Sequence, residues 1–284
     1  MTPPPGQPLQ RTAKGRRVSF QSQGRPLNDE GMERACGTLG VAAPEVWALL
    51  TVETRGFGFL QDRRPQILFE RHVFHRLTQG RHDRGHAHIS NASAGGYAGG
   101  AGEYARLDEA AGIDRGAALQ SASWGIGQVM GFNYAVAGFA GIGDMVAAMA
   151  EDENAQLLAM ANFIKGKDLA KALRRHAWVS FARGYNGPEF RKNQYDRRLA
   201  AAHAKYGTML PDLAFRTAQA ALLYLGIDPG PIDGFRGRRT RSALMRFQEQ
   251  CGHPETGELD RDSESKLLAQ AFSGQASSTR RRSS

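Results

Sequence analysis

The chain has 284 residues, of which 41% are hydrophobic and 23% are charged, and these fractions are those of a soluble globular protein. Lysine and arginine exceed the acids by nine, so we expect an anionic partner: nucleic acid, a membrane surface or a cell-wall polymer. No apolar run reaches transmembrane length, and the two cysteines, Cys36 and Cys251, are too far apart in sequence to suggest a disulfide framework.

The N-terminal residues 1–26 are rich in proline, glycine, glutamine and basic side chains, which predicts a flexible basic arm. They lack the hydrophobic segment of a signal peptide, so we expect synthesis in the cytoplasm and export by another route. Asn28 is placed to cap a first helix that Gly40 ends.

The segment 43–59 predicts a helix with a carboxyl group on its apolar face. The i, i+3, i+4, i+7 positions of that face are Val46, Leu49, Leu50 and Glu53. Burial disfavours the ionised form of a carboxyl, and the negative end of the helix dipole disfavours it further. A carboxyl kept neutral near pH 7 can donate a proton to a glycosidic oxygen. From this segment alone, a helix whose last turn exposes Glu53 to water remains an alternative.

The middle of the chain alternates loops and helices. Residues 66–69 form a short extended run, and residues 78–102 form a long loop with seven glycines, of the kind that usually serves a site. Further helices are predicted at 103–111, from Asp144 through Ile164, from Asp168 and at 190–206, whereas two glycines interrupt 117–129. The first domain, residues 27–206, is therefore predicted to be mainly α.

A second, smaller domain is predicted after a linker at residues 207–212. Its three helices flank a turn region with four glycines and two prolines, and the helices cover 213–225, 238–251 and 260–272. We expect the domain to span residues 213–272 and to be followed by a basic, disordered tail at 273–284.

The turns and apolar positions of this second domain follow one another at tight spacing. They are Leu222-x-x-Leu225-Gly226-Ile227-Asp228-x-Gly230, Ile232-Asp233-Gly234, Gly237-x-x-Thr240, Ala243-Leu244 and Phe247-Gln248. This pattern resembles the three-helix peptidoglycan-binding domain that accompanies many wall hydrolases, with Phe235-Arg236-Gly237 in place of the usual Gly-Phe-Gly. A three-helix module without a ligand explains the same residues, so peptidoglycan binding is what the resemblance implies.

Four stretches of the first domain carry a second resemblance. They are Val52-Glu53-Thr54-x-Gly56-x-Gly58-Phe59, Leu68-Phe69-Glu70-Arg71-His72, Ser121-Ala-Ser-Trp-Gly-Ile-Gly-Gln128-Val-Met-Gly-Phe-Asn133 and Phe181-Ala-Arg-x-Tyr185-Asn186-Gly187. Together they resemble the N-acetylmuramidase domain of phage endolysins, a relative of goose-type lysozymes and lytic transglycosylases. The resemblance implies a lysozyme-like helical domain that cleaves the β-1,4 bond between N-acetylmuramic acid and N-acetylglucosamine, with Glu53 as the general acid. Water or an internal sugar hydroxyl could then capture the cleaved sugar.

Three polar residues are candidates for substrate binding. Gln128, between glycines that let backbone approach a ligand, can hydrogen-bond an N-acetyl group or a ring hydroxyl. Tyr185 and Asn186 precede a Gly-Pro turn, where asparagine is often only a turn residue, and the resemblance implies that Tyr185 lines the saccharide cleft. Trp124 is assigned to the core.

The second carboxylate of a glycosidase is less well defined in this sequence. Inverting chemistry needs a base opposite the acid, and retaining chemistry needs a nucleophile. Glu70 is the first candidate and Glu103 the second, but a salt bridge or hydrogen bond that shapes the fold explains Glu70 equally well. In the related goose-type group this acid is often weakly defined, so none need be essential.

Three other functions compete with the muramidase prediction. A zinc-dependent peptidoglycan amidase or endopeptidase would use the histidines at 72, 75, 82, 86 and 88, but no H-E-x-x-H motif is present. A wall-binding protein without catalysis is a second alternative, and the intact Glu53 argues against it. Nucleic-acid binding would suit the charge, but no groove-reading motif is apparent.

The sequence thus predicts a monomer whose substrate is the glycan strand of peptidoglycan, with no cofactor, metal or nucleic-acid partner. The basic termini could add attraction to an anionic envelope surface. We expect the protein to act at the cell wall or in the periplasm after release or delivery.

Overall fold

The computed structural model describes residues 20–54 and 56–272 of the chain. Over these residues the protein is mainly α-helical, which confirms the predicted fold class. The described helices are α1 (Asp29–Leu39), α2 (Ala43–Thr54), α3 (Arg71–Leu77), α4 (Glu103–Ile113), α5 (Arg115–Gln120), α6 (Ile142–Glu151), α7 (Glu153–Gly166), α8 (Ala170–Arg174), α9 (Trp178–Asn186), α10 (Tyr195–Tyr206), α11 (Leu213–Tyr224), α12 (Arg238–Gln250) and α13 (Arg261–Phe272). The predictions for residues 1–19 and for the tail at 273–284 lie outside the described residues.

Local capping explains where the first helix begins and ends. The Asn28 side chain accepts a hydrogen bond from Gly31 N at 3.0 Å, and Gly40 closes the helix in the left-handed conformation. Packing of α1 against α7 and of α2 against α10 then brings together helices that lie far apart in the sequence. Eight of the twelve residues of α2 are buried and the other four are partly buried, so this helix runs through the core of the first domain.

A small antiparallel sheet lies beside the helices. It consists of β1 (Ile67–Phe69), β2 (Ala122–Trp124) and β3 (Val129–Met130), in that order, and Leu68 pairs with Ser123. The short extended run at 66–69 is thus an edge strand of a sheet. Its partners come from the segment that glycines interrupt, because Gly125 and the residues after it form the turn between β2 and β3.

The prediction of one long helix from Asp144 to Ile164 is wrong, because Asp152 divides this segment into α6 and α7. Asp152 has extended backbone, and its side chain caps α7 by accepting from Ala155 N at 2.7 Å. Arg25 bonds the backbone on both sides of the break, through Glu151 O at 3.3 Å and Glu153 N at 2.9 Å. The break is therefore a bonded feature of the fold.

The predicted flexible arm does not extend to residues 20–26. Phe20 is buried, with its ring 5.4 Å from the ring of Tyr104 and 5.6 Å from that of Trp124. Arg25 pairs with Asp152, and Gly24 O accepts a hydrogen bond from Tyr224 at 2.6 Å. These contacts fix the segment on both domains, so composition alone misplaced the start of the folded chain.

The buried hydrophobic side chains of the described residues form two main clusters. The larger contains buried residues from Phe20 to Tyr206, and the smaller lies within the three C-terminal helices. A third cluster joins them, with Phe57 and Phe59 from one side and Ala220 and Ile232 from the other. No single described helix is long and apolar enough to cross a membrane, and α1 with α2 would qualify only as a pair bent by 102°.

Candidate active site

Glu53 lies in the last turn of α2, between two tyrosines of other helices. Its side chain is partly buried, and Tyr195, the first residue of α10, donates its hydroxyl to Glu53 Oε1. Tyr185 of α9 stacks on Tyr195 with ring centroids 6.3 Å apart. Arg198 lies one turn after Tyr195 and donates from Nη2 to Val52 O at 3.0 Å. Glu53 thus lies beside a stacked pair of tyrosines, with the Arg198 cation nearby.

This environment changes the acidity of the carboxyl group. Burial raises the pKa of Glu53 to about 7, although the Tyr195 hydrogen bond and the positive charge of Arg198 act to lower it. Burial also raises the pKa of Tyr185 and Tyr195 well above that of a free tyrosine, so both hydroxyls keep their protons. Burial therefore favours the protonated form of Glu53 near neutral pH, which is the form that a general acid requires.

The turn between β2 and β3 packs against the end of α2. Thr54 Oγ1 donates to Ile126 O at 3.0 Å, and Tyr185 Oη donates to Gly127 O at 2.8 Å. Gly58 approaches the same turn so closely that a Cβ atom there would lie 2.9 Å from Ile126 N. The predicted motifs around Glu53, Gln128 and Tyr185 are therefore neighbours in space.

The Gln128 side chain holds this turn together. Its Oε1 accepts from Ser123 Oγ at 2.8 Å, and its Nε2 donates to Gln66 O at 3.2 Å and Gly125 O at 2.8 Å. Its φ of +47° lies in the left-handed region, which a residue other than glycine adopts only with support. The amide that was predicted to meet a sugar is thus engaged within the hairpin.

Asn186 and Trp124 occupy contrasting positions. Asn186 ends α9 at the surface and is followed by Gly187 with a φ of +81°. Trp124 is fully buried and donates from Nε1 to Leu119 O at 3.0 Å, so its assignment to the core is confirmed.

Glu70 follows β1 and bonds to a different part of the protein. Tyr97, on the glycine-rich loop, donates its hydroxyl to both carboxylate oxygens, at 3.1 and 3.0 Å, and His72 Nδ1 lies 3.1 Å from Oε2. Within the described residues, Glu70 and Glu53 share no hydrogen-bond partner. The contacts at Glu70 connect the strand end to the loop.

Glu103 is a structural carboxylate. It is fully buried, and Oε1 accepts from Ala98 N at 2.6 Å and Gly99 N at 2.9 Å. Oε2 accepts from Phe69 N at 3.1 Å and from Arg106 Nη1 at 2.7 Å. Despite burial, these bonds lower the pKa of Glu103, so it stays ionised. With four donors bound and no exposure, it cannot activate a water molecule.

The loop histidines form hydrogen bonds with two different carboxylates. His75 bonds Asp83 at 2.7 Å, whereas His86 and His88 bond opposite oxygens of Glu109 at 3.1 and 2.6 Å. In the described part of the chain these side chains do not converge into a set of three metal ligands.

Tyr195 was not predicted to be part of this site. It falls within the predicted helix at 190–206, and its neighbour on the same helical face is Arg198, three residues later. A tyrosine and an arginine on one face could have indicated a site for a carboxylate, but nothing in the sequence assigns that carboxylate to Glu53.

Comparisons with known proteins identify the family of the chain. The N-acetylmuramidase family model matches residues 42–207, and the model of a putative peptidoglycan binding domain matches residues 212–267. The crystal structure of Burkholderia AP3 phage endolysin is similar, with 39% sequence identity and a TM-score of 0.60 over 65% of this chain and 72% of that chain. No curated protein matches the sequence. The chain therefore belongs to the N-acetylmuramidase family and is a lysozyme-like peptidoglycan hydrolase.

Proposed function

We propose that the protein cleaves the β-1,4 bond between N-acetylmuramic acid and N-acetylglucosamine, with Glu53 as the general acid. The observation that carries this proposal is the partly buried Glu53 carboxyl at the end of α2, bonded by Tyr195 and with a pKa of about 7. A carboxyl with this acidity is protonated in a useful fraction at neutral pH and can still release its proton.

The neighbours of Glu53 suit both its protonated form before cleavage and its ionised form afterwards. Before cleavage, the protonated carboxyl donates to the glycosidic oxygen, and positive charge develops at the sugar ring. Afterwards Glu53 is an anion, which the Tyr195 hydroxyl and the Arg198 charge stabilise. Water or a hydroxyl of the cleaved sugar completes the reaction, giving hydrolase or transglycosylase products.

Glu70 is the second carboxylate in this proposal. Its side chain is only 15% exposed, and the Tyr97 hydroxyl holds it at the end of β1. Chemical rescue can distinguish a catalytic role of Glu70, as base or nucleophile, from a purely structural role. Azide should restore bond cleavage in Glu70→Ala, with a glycosyl azide as product, if the lost carboxylate is catalytic, whereas Tyr97→Phe should lose loop stability without such rescue. Failure of azide to restore cleavage in Glu70→Ala would assign Glu70 to the fold.

The remaining predicted residues are proposed to form the glycan cleft. Tyr185 would supply a wall beside Glu53, and Asn186 would offer an exposed amide at the end of the same helix. Gln128 would contribute through the backbone of the turn that its side chain holds, because both protons of its amide are already donated.

The C-terminal helices are proposed to form a binding module for peptidoglycan, at residues 213–272, and residues 207–212 to form the linker. The excess of nine positive charges would add attraction to an anionic envelope surface. We propose that the protein is a monomer, is synthesised in the cytoplasm and reaches the wall after release or delivery.

Mass spectrometry of digested, purified sacculi tests the function directly. We expect fragments that end in muramic acid, with reducing ends for hydrolysis or anhydro ends for transglycosylation. Fragments that end in reducing N-acetylglucosamine would contradict the assigned bond. Intact glycan strands with freed peptides would instead indicate an amidase or endopeptidase.

A further inference from the structure

Three side chains with metal-binding groups converge at the ends of the site helices that lie away from Glu53. Glu45 lies in the first turn of α2, His176 precedes α9, and His203 lies in the last turn of α10. Their ligand atoms all lie within 4.8 Å of one another. His176 Nε2 is 2.7 Å and His203 Nε2 is 3.2 Å from the same atom, Glu45 Oε1.

One carboxylate oxygen of this cluster lacks a hydrogen bond. The other carboxylate oxygen, Glu45 Oε2, is buried and has no hydrogen-bond partner among the described residues. A buried carboxylate oxygen without a donor is costly, and a cation is one means of satisfying it. Two imidazole nitrogens directed at one carboxylate oxygen place three potential ligand atoms of an ion side by side.

The imidazole rings are held in place by aromatic packing. Trp178 stacks on His176 with centroids 5.2 Å apart and an interplanar angle of 12°, and its ring centroid is 5.3 Å from that of His203. The centroids of the two imidazole rings are 4.2 Å apart. Rings fixed in this way lose little freedom when their nitrogens bind an ion, which is how outer contacts support metal ligands.

We propose that Glu45, His176 and His203 bind a divalent transition-metal ion of the zinc type. Two imidazole nitrogens and one carboxylate oxygen are ligands that zinc takes at about 2.0–2.2 Å in tetrahedral sites, where a water molecule would be the fourth ligand. That geometry separates ligand atoms by roughly 3.3 Å, so small rotations of the three side chains would admit the ion. Magnesium and calcium prefer oxygen ligands and do not suit the two imidazoles.

The position of the cluster makes the ion a structural one. Glu45 and Glu53 are eight residues apart on α2, which is about 12 Å along a helix axis. The ion would therefore stay clear of the glycosidic bond. It would instead join the N-terminal end of α2 to the start of α9 and the end of α10, the two helices that bring Tyr185 and Tyr195 to Glu53.

Metal content of the full-length, tag-free protein tests this proposal. The protein is stripped with a chelator, incubated with Zn²⁺ or Mg²⁺, desalted, and analysed for bound metal and thermal unfolding. We expect one retained zinc per chain, no retained magnesium and a higher Tm with zinc. At about a hundred times its Kd, zinc should lower the unfolding equilibrium constant about a hundredfold.

A second His-His-Glu group provides a matched control. His86 and His88 bond opposite oxygens of Glu109, and all three side chains are at least 40% exposed. Zinc retention should be lost in His176→Ala/His203→Ala and kept in His86→Ala/His88→Ala. Wild-type protein that retains no zinc, or equal retention by the two double variants, would overturn the proposal.

Cobalt absorption covers the case in which a double variant fails to fold. Co²⁺ bound to wild-type protein should give the intense visible absorption of a four-coordinate site, and Glu45→Gln should weaken it. Absorption typical of hydrated, six-coordinate cobalt in the folded wild type would count against the site.

Discussion

Arg216 of α11 and Glu153 of α7 form an ion pair in which both side chains are fully buried, with Nη1 2.6 Å from Oε2 and Nη2 2.9 Å from Oε1. The guanidinium also donates to the carbonyl of Gly56, from Nε at 3.2 Å, and the carboxylate accepts from Gly58 N at 2.7 Å. A residue of the C-terminal helices therefore holds the segment that leaves α2 just after Glu53.

Arg216→Met should destabilise the whole protein. The substitution keeps much of the side-chain volume but leaves Glu153 buried without its cation, which typically costs about 3–5 kcal/mol. The free energy of unfolding in urea measures this loss. Arg239→Met is the matched control, because its pair with Asp228 is exposed on both sides and should contribute at most about 1 kcal/mol. Equal effects of the two variants would show that the buried pair is not a structural link.

Glu53→Gln should lower turnover on sacculi at least about a hundredfold, because general acid catalysis contributes about 10²–10⁴-fold. Glutamine keeps the shape of the side chain but has no proton to donate to the leaving oxygen. Turnover and wall binding are measured on the same preparations, and binding should be unchanged. Glu33→Gln makes the same change on the exposed face of α1 and should have full activity. A folded Glu53→Gln protein with a near-normal rate would refute the assigned acid.

The pH dependence of stability should identify the Glu53 proton. Below pH 4.5, the ordinary value for a glutamate, the carboxyl is protonated in both folded and unfolded chains. Between pH 4.5 and about 7 the unfolded chain releases the proton while the folded chain keeps it, so this group's contribution to stability falls and then levels off. Wild type should therefore lose stability relative to Glu53→Gln across that range in urea unfolding. A constant difference would mean that the carboxyl titrates normally.

Tyr195→Phe should move the alkaline limb of activity to higher pH. The Tyr195 hydroxyl favours the ionised form of Glu53, so its removal raises the pKa of the acid above about 7. The profile of kcat/KM against pH measures the shift. Tyr185→Phe is the control, because its hydroxyl donates to Gly127 O at 2.8 Å and not to Glu53. An unchanged limb in Tyr195→Phe would separate this tyrosine from the acid.

Gly58→Ala should destabilise the junction between α2 and the β2–β3 turn. A Cβ atom at Gly58 would lie 2.0 Å from Gln156 Oε1 and 2.9 Å from Ile126 N, so the turn must move, at a cost of about 1–3 kcal/mol. Gly37→Ala makes the same change on α1, where a Cβ meets no atom within 4 Å. That control should gain stability by about 0.5–1 kcal/mol, as alanine does in helices. Thermal unfolding of both variants distinguishes close packing from helix propensity.

The elements that sequence analysis located well are those fixed by nearby residues. Asn28 and Gly40 are the two ends of α1, and the three C-terminal helices were predicted to within one residue at each end. A cap or a tight turn is decided by hydrogen bonds within a few residues, so its pattern is visible in the sequence. The same holds for α2, whose predicted span carries Glu53 in its last turn.

Only the tertiary structure decided what surrounds Glu53. Tyr195 lies 142 positions away in the sequence, and its hydroxyl reaches the carboxyl only because α10 packs against α2. The burial that raises the pKa of Glu53 depends on the same assembly. The Gln128 amide is likewise engaged by a distant residue, because its Nε2 donates to Gln66 O, 62 positions away in the sequence. Helical periodicity shows which face of a helix is apolar but not what packs against it. The proposed acid was therefore visible in the sequence as a candidate, whereas its acidity depends on contacts between distant residues.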